Sequence, residues 1–142
     1  MRYRPLLFLI PLGLCLAAYG CTTRTRQPDA VVEPTLSSIQ QQIFNGSCTA
    51  PSCHGSGMKG GLSLIDGKSY AQLIGVRSAF DKKGTSPSLR VKPGSPDSSF
   101  LFTKITAPDT SQGELMPKGF DKLTQNQIEA IRQWIVKGAP DD

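Results

Sequence analysis

Apolar residues recur at helical spacing in several separate stretches of this chain. The clearest lies near the C-terminus, where Ile128, Ile131, Trp134 and Ile135 make one stripe. Thr124-Gln125-Asn126-Gln127 precedes it and matches a capping box, with Thr124 as N-cap and Gln127 reaching back. Lys137 sits in the last turn, Gly138 is the C-cap candidate and Pro140 blocks continuation. An earlier stripe runs through Leu36, Ile39, Ile43 and Phe44, with Asn45-Gly46 as the predicted stop, just short of Cys48. A third helix is predicted from Ser95-Pro96-Asp97, which supplies an N-cap, a first-turn proline and an acid for the dipole. It carries Phe100, Leu101, Lys104 and Ile105 and ends before Pro108. Asp66 is the cap candidate for a short helix through Tyr70, Leu73 and Ile74. Leu62 and Leu64 alternate with Ser63, a fragment suited to lining a pocket. Residues 75–92 and 109–122 read as loops, the first anchored by Val76, Phe80, Leu89 and Val91. No internal repeat occurs. The pattern predicts one mostly α domain over residues 36–140, with long loops.

The first twenty residues have a different character. Met1-Arg2-Tyr3-Arg4 is a short basic segment, and Leu6 to Ala18 is an apolar run broken by Pro11 and Gly13. Ala18-Tyr19-Gly20 then makes a small-x-small cleavage pattern before Cys21. Residues 1–20 therefore read as a secretory signal peptide, because the apolar run is too short for a membrane span and ends in a processing site. Cys21 directly after that site resembles a bacterial lipobox, although Tyr19 is an unusual occupant. Acylation of Cys21 would tether the protein to a membrane, and more than one acyl chain makes such anchoring stable. Thr22 is not an aspartate, so nothing resembles an inner-membrane retention signal, and a two-membrane cell would place the protein at its outer membrane. The other outcome is plain cleavage after Gly20 and a soluble periplasmic protein. Residues 21–35, with two prolines and no apolar period, read as the tether.

Charge narrows the partners. The net charge is +5. Losing Arg2 and Arg4 with the leader leaves fourteen basic residues against eleven acidic ones. No long basic run exists, so nucleic acid is not an expected partner.

Export implies an oxidising compartment, which makes cysteine use informative. Of four cysteines, Cys15 leaves with the leader and Cys21 sits at the cleavage site, so Cys48 and Cys53 form the one remaining pair. The only histidine, His54, follows Cys53 directly. Two thiols followed by an imidazole is the arrangement that attaches c-type haem through two thioethers and presents a nitrogen to the iron. The usual spacing is C-x-x-C-H; here it is C-x4-C-H, two residues longer. Other chemistries use the same residues. A Cys48–Cys53 disulfide in an exported binding or structural module is the plainest, and it leaves His54 without a role. Structural zinc wants four ligands, and no fourth lies nearby. A thiol–disulfide enzyme uses C-x-x-C near a βαβ pattern, which is absent.

With haem as cofactor, His54 would be the proximal iron ligand, and a second histidine does not exist. Methionine thioether is then the common distal choice, and His/Met ligation raises the potential. Met58 lies four residues past His54, on the same side of the motif. Met116 lies 62 residues downstream, beside Pro117 and between Gly113 and Gly119, in a loop able to fold over the opposite face. Met116 is the expected ligand. No acid, base or nucleophile constellation appears elsewhere, so electron transfer rather than catalysis is expected.

Taken in order, these features resemble a monohaem class I c-type cytochrome of the small bacterial type. The resemblance covers about residues 36–139. It rests on the first helix running into Cys48…Cys53-His54, Gly60-Gly61-Leu62, Val91-Lys92-Pro93-Gly94, Met116-Pro117 and the last helix with Trp134. It implies a cytochrome c-like fold in which the first and last helices cross beside one covalent haem c. Ile39, Ile43 or Phe44 would then meet Ile131, Trp134 and Ile135. It also implies a single-electron carrier, or the haem subunit of a larger periplasmic oxidoreductase, working with redox partner proteins. Lys82, Lys83, Lys118 and Lys122 fall in the two long loops and are candidates for steering acidic docking surfaces.

Overall fold

A computed structural model of the chain describes residues 31–80 and 89–142. The leader, Cys21, most of the tether, Lys82 and Lys83 lie outside the described residues. Those described are mostly helical and contain no strand, only isolated β-bridges. Four α-helices are present among them: α1 (Leu36–Ile39), α2 (Ser69–Leu73), α3 (Phe100–Thr106) and α4 (Gln125–Val136).

The first helix does not stop at Asn45-Gly46. From Gln40 to Cys48 it continues as a wider π-coil, so Cys48 is its last residue. The amide of Thr49 donates to Phe44 O at 3.1 Å, the i→i+5 bond of that coil, and the Thr49 hydroxyl donates to Asn45 O at 3.3 Å. Gly46 is not among the glycines with left-handed backbone, so it never makes the turn that ends a helix. Wide coils of this kind are rare and concentrate at functional sites.

Two other predicted starts also differ. Asp66 does not cap α2, whose N-cap position is Lys68 with no side-chain bond. Ser95 does not cap α3: residues Pro96–Ser98 form a separate 3-10 turn, and α3 starts after Ser99, whose backbone is extended. Ser99 is fully buried. Its hydroxyl donates to Ser95 O at 2.8 Å and accepts from the Lys92 amide at 2.9 Å. The hydroxyl is spent on the preceding turn rather than on the helix end. The capping box of α4 is formed as its residues predict, with Thr124 and Gln127 bonding reciprocally. Lys137 is its C-cap, one residue earlier than Gly138, which takes the left-handed backbone at φ 99°.

The core gathers the apolar stripes. Ile39, Ile43, Phe44, Ile131, Trp134 and Ile135 are buried in one cluster with Leu64, Leu73 and Val91, and α1 touches α4. The Trp134 indole donates to Pro140 O at 2.9 Å, so the largest core residue leaves no polar atom unpaired. Both ends of the described chain are fastened together. Val32 is buried in the cluster, and Asp142 accepts from the amides of Leu36 (2.7 Å, through Oδ1) and Ser37 (2.8 Å, through its carbonyl). Residues 89–91 run between two other segments: Val91 N donates to Leu73 O and Phe100 N donates to Leu89 O, at 3.1 and 2.9 Å.

Burial on α4 predicts a sharp contrast between neighbours. Ile135→Ala should cost about 2–5 kcal/mol, because the site is closed and a cavity remains. Val136→Ala, at a half-exposed position, should change stability by less than about 0.5 kcal/mol. Urea unfolding of the two variants measures both; equal losses would contradict the packing described.

Candidate functional site

A partly open cavity of about 240 Å³ lies inside this helical frame. Its wall is almost wholly apolar, built from Ile43, Phe44, Leu62, Leu64, Leu73, Phe100, Ile105, Leu123 and Ile131 among others. Three of the four residues singled out by their chemistry, Cys48, His54 and Met116, are on that wall. Cys53 is not; it is half-buried beside His54 in the chain. Met58 is not on the wall either and is 46% exposed, so it points away from this chemistry.

Each of the three is placed by identifiable bonds. Cys48 ends the π-coil, and its carbonyl accepts from the His54 amide at 3.0 Å. The carbonyl of His54 accepts in turn from Leu64 N at 2.7 Å. Leu64 O receives the side-chain amide of buried Gln40 at 2.8 Å, and the Ser69 hydroxyl donates to Gln40 Oε1 at 2.6 Å. One buried glutamine thus ties the helix, the His54 segment and α2 together. Met116 is held by its amide, which donates to Lys104 O at 2.8 Å.

The residues Thr49 to Ser52 between the two cysteines fold back against the glycines after His54. Cys53 N donates to Ala50 O, and Gly57 N donates to Pro51 O, both at 2.8 Å. A Cβ on Gly55 would lie 2.2 Å from Thr49 O, and one on Gly57 would lie 2.3 Å from Pro51 O. The longer spacing is therefore absorbed by close backbone approach, which requires glycine at 55 and 57.

His54 Nδ1 donates to Lys59 O at 3.0 Å. That bond sets the tautomer and puts the lone pair of the neutral ring on Nε2, the arrangement used by metal-ligating histidines. Its pKa is lowered, first by burial, with the charges of Arg90 and Lys104 acting in the same sense and hydrogen bonds to Lys59 and Leu62 opposing. The ring therefore stays neutral at physiological pH. Burial, and secondarily Cys53, pushes the Cys48 thiol up to about 12, so it remains protonated. Both cysteines are free thiols here.

Two buried cations on the wall were not among the residues expected to contribute. Arg90 is buried, donating to Gln72 O (2.8 Å) and Gly61 O (2.9 Å). Lys104 is buried too. The sequence carried a signal for both: Arg90 falls between Leu89 and Val91, and Lys104 falls on the stripe of Phe100, Leu101 and Ile105. A charge inside an apolar pattern marks a buried polar position. Of the lysines considered for docking, Lys118 forms an exposed ion pair with Glu114, and Lys122 is exposed.

No family model matches the chain, and neither any curated protein nor any solved structure matches it. Among the described residues, no three His, Cys, Asp or Glu side chains group as a metal site, and no helix is long and apolar enough to cross a membrane.

Two outcomes follow from this geometry. Gly55→Ala and Gly57→Ala should each cost about 1–3 kcal/mol by overpacking. Gly46→Ala, with open space around it, should be neutral or stabilise by up to about 1 kcal/mol in thermal unfolding. In the reduced, unmodified chain, Cys48 should alkylate more than about tenfold slower than free cysteine at neutral pH and regain normal rates in denaturant. Mass spectrometry after timed labelling reads this, and fast native labelling of Cys48 would contradict the burial.

Proposed function

We propose that the protein is a monohaem c-type cytochrome, an exported and lipid-anchored carrier of single electrons. One observation carries the reading. Cys48 and His54, with Met116 62 residues further along the chain, share the wall of a single cavity that is otherwise nearly all apolar.

The residues present fit a covalent haem. The lining supplies the broad apolar contact that a porphyrin needs. Cys48 is on the wall and Cys53 adjoins His54, so the pair is the candidate for the two thioethers. Arg90 adds positive charge to the wall, which favours an occupant bearing carboxylates. His54 would hold the iron through Nε2 and Met116 through its thioether, the two ligands of a mostly α, cytochrome c-like fold. Bound there, haem supplies an iron that cycles by one electron. The protein's own work is to orient the imidazole through the Nδ1–Lys59 bond, to exclude water with its apolar wall and to hold Met116 in place. A dry site with a thioether ligand favours the less charged, reduced state and so a raised potential. The domain acts alone or as the haem subunit of a larger oxidoreductase, exchanging electrons with acidic redox partners on the periplasmic side. The signal peptide over residues 1–20 and Cys21 support the export and the anchor.

Export of the chain with haem-maturation factors, followed by haem staining of the denatured protein, tests the assignment. A covalent band is expected, lost in the double variant Cys48→Ala and Cys53→Ala; an unstained wild-type chain would overturn it. Met116→Ala should lower the potential and remove the weak red absorption of an iron–thioether bond while leaving the haem attached.

A further inference from the structure

Three bonds from the loop carrying Met116 end on one residue. The Lys104 ammonium donates to Gln112 O at 3.0 Å and to Glu114 O, and the Lys104 carbonyl accepts from Met116 N at 2.8 Å. By these bonds residues 112, 114 and 116 all face Lys104, and its two ends grip the segment at successive points.

The segment is shaped to accept that grip. Asp109 caps the turn Thr110–Gln112 in a capping box, which sets the direction of Gln112. Gly113 has φ 81°, and a Cβ there would lie 3.6 Å from Lys104 Nζ. Lys104 itself cannot wander. It is 8% exposed on α3, lines the cavity, and its ammonium stands 5.8 Å from the Phe80 ring, which stacks on Phe100. A buried ammonium is costly unless fully engaged. Its engagement with backbone carbonyls gives it a task that an apolar side chain cannot perform.

We propose that Lys104 is the positioning residue for Met116: its ammonium straps the 112–116 loop to α3 so that the thioether is held over the cavity. The inference rests on the haem reading above and adds to it the group that keeps the distal ligand in place. Loss of the strap keeps the apolar face of α3 but leaves the Gln112 and Glu114 carbonyls without their buried donor, so the cost falls on the loop that carries Met116. What changes is the fraction of time Met116 spends away from the iron.

The test uses the full chain, exported and matured, with Lys104→Leu, which introduces no thioether of its own. Haem content, melting temperature, the weak red iron–thioether absorption and the rate of cyanide binding to the ferric protein are measured together. Cyanide enters only when Met116 is displaced, so its rate reports the open fraction. The expected result is normal haem content, a weakened red absorption and cyanide binding about tenfold faster or more, the loss of hydrogen bonds to a charged donor. Lys104→Gln, neutral but still a donor, should fall between, and it carries the comparison if the leucine variant is not recovered. A variant with the wild-type absorption and cyanide rate, whatever its melting temperature, would reduce Lys104 to a structural residue and overturn the proposal. Wild-type protein without haem, or with haem but no red absorption, would instead overturn the function or the Met116 ligation on which the proposal stands.

Discussion

The constraint on which the structure depends is that its core and its cavity are the same surface. Ile43, Phe44, Leu64, Leu73, Ile105, Leu123 and Ile131 belong to the hydrophobic cluster, and each also lines the cavity. A small domain is only marginally stable, by about 5–15 kcal/mol. Cavity space costs on the order of 24 cal/mol per Å³, so filling 240 Å³ with apolar matter is worth up to about 6 kcal/mol. That gain is comparable with the whole stability of such a domain. A flat apolar group in this place would be a structural element as much as a cofactor, and its binding and the chain's folding would be strongly linked.

Around that space the backbone makes local departures from regular geometry, and each one delivers a side chain. The π-coil carries the first helix through Gly46 and ends it on Cys48. The close approaches at Gly55 and Gly57 let the longer inter-cysteine segment fold back without displacing His54, which stays bonded to Cys48 O and Leu64 N. Gln40 then couples these pieces through its two amide atoms. The polar groups of the site are thus satisfied by backbone and amide partners, which leaves the wall apolar.

The electrostatics have the same character. Burial holds His54 neutral and Cys48 protonated, and the two buried cations of the wall have carbonyls as hydrogen-bond partners. The surface ion pairs, Lys118 with Glu114 and Arg132 with Glu129, are exposed and worth little to stability. Charge matters in this protein where it is buried, at Arg90 and Lys104.

Local sequence determined the elements whose causes are local. The α4 helix follows from its stripe and from the Thr124–Gln127 box, because caps act within a few residues. The apolar positions at 36, 39, 43 and 44 marked the face that is buried, and Cys48, His54 and Met116 were singled out by residue type and spacing. Helix ends that depend on distant partners were not legible. Whether Asn45-Gly46 ends a helix depends on what Thr49 bonds, and whether Ser95 caps depends on where buried Ser99 is committed. Only the tertiary structure decided that three of the four chosen residues share one wall and that Cys53 does not. It alone made Lys104 more than a member of an apolar stripe. The physical reason is that a bond such as Met116 N to Lys104 O joins residues whose proximity is created by packing, and no local periodicity records it.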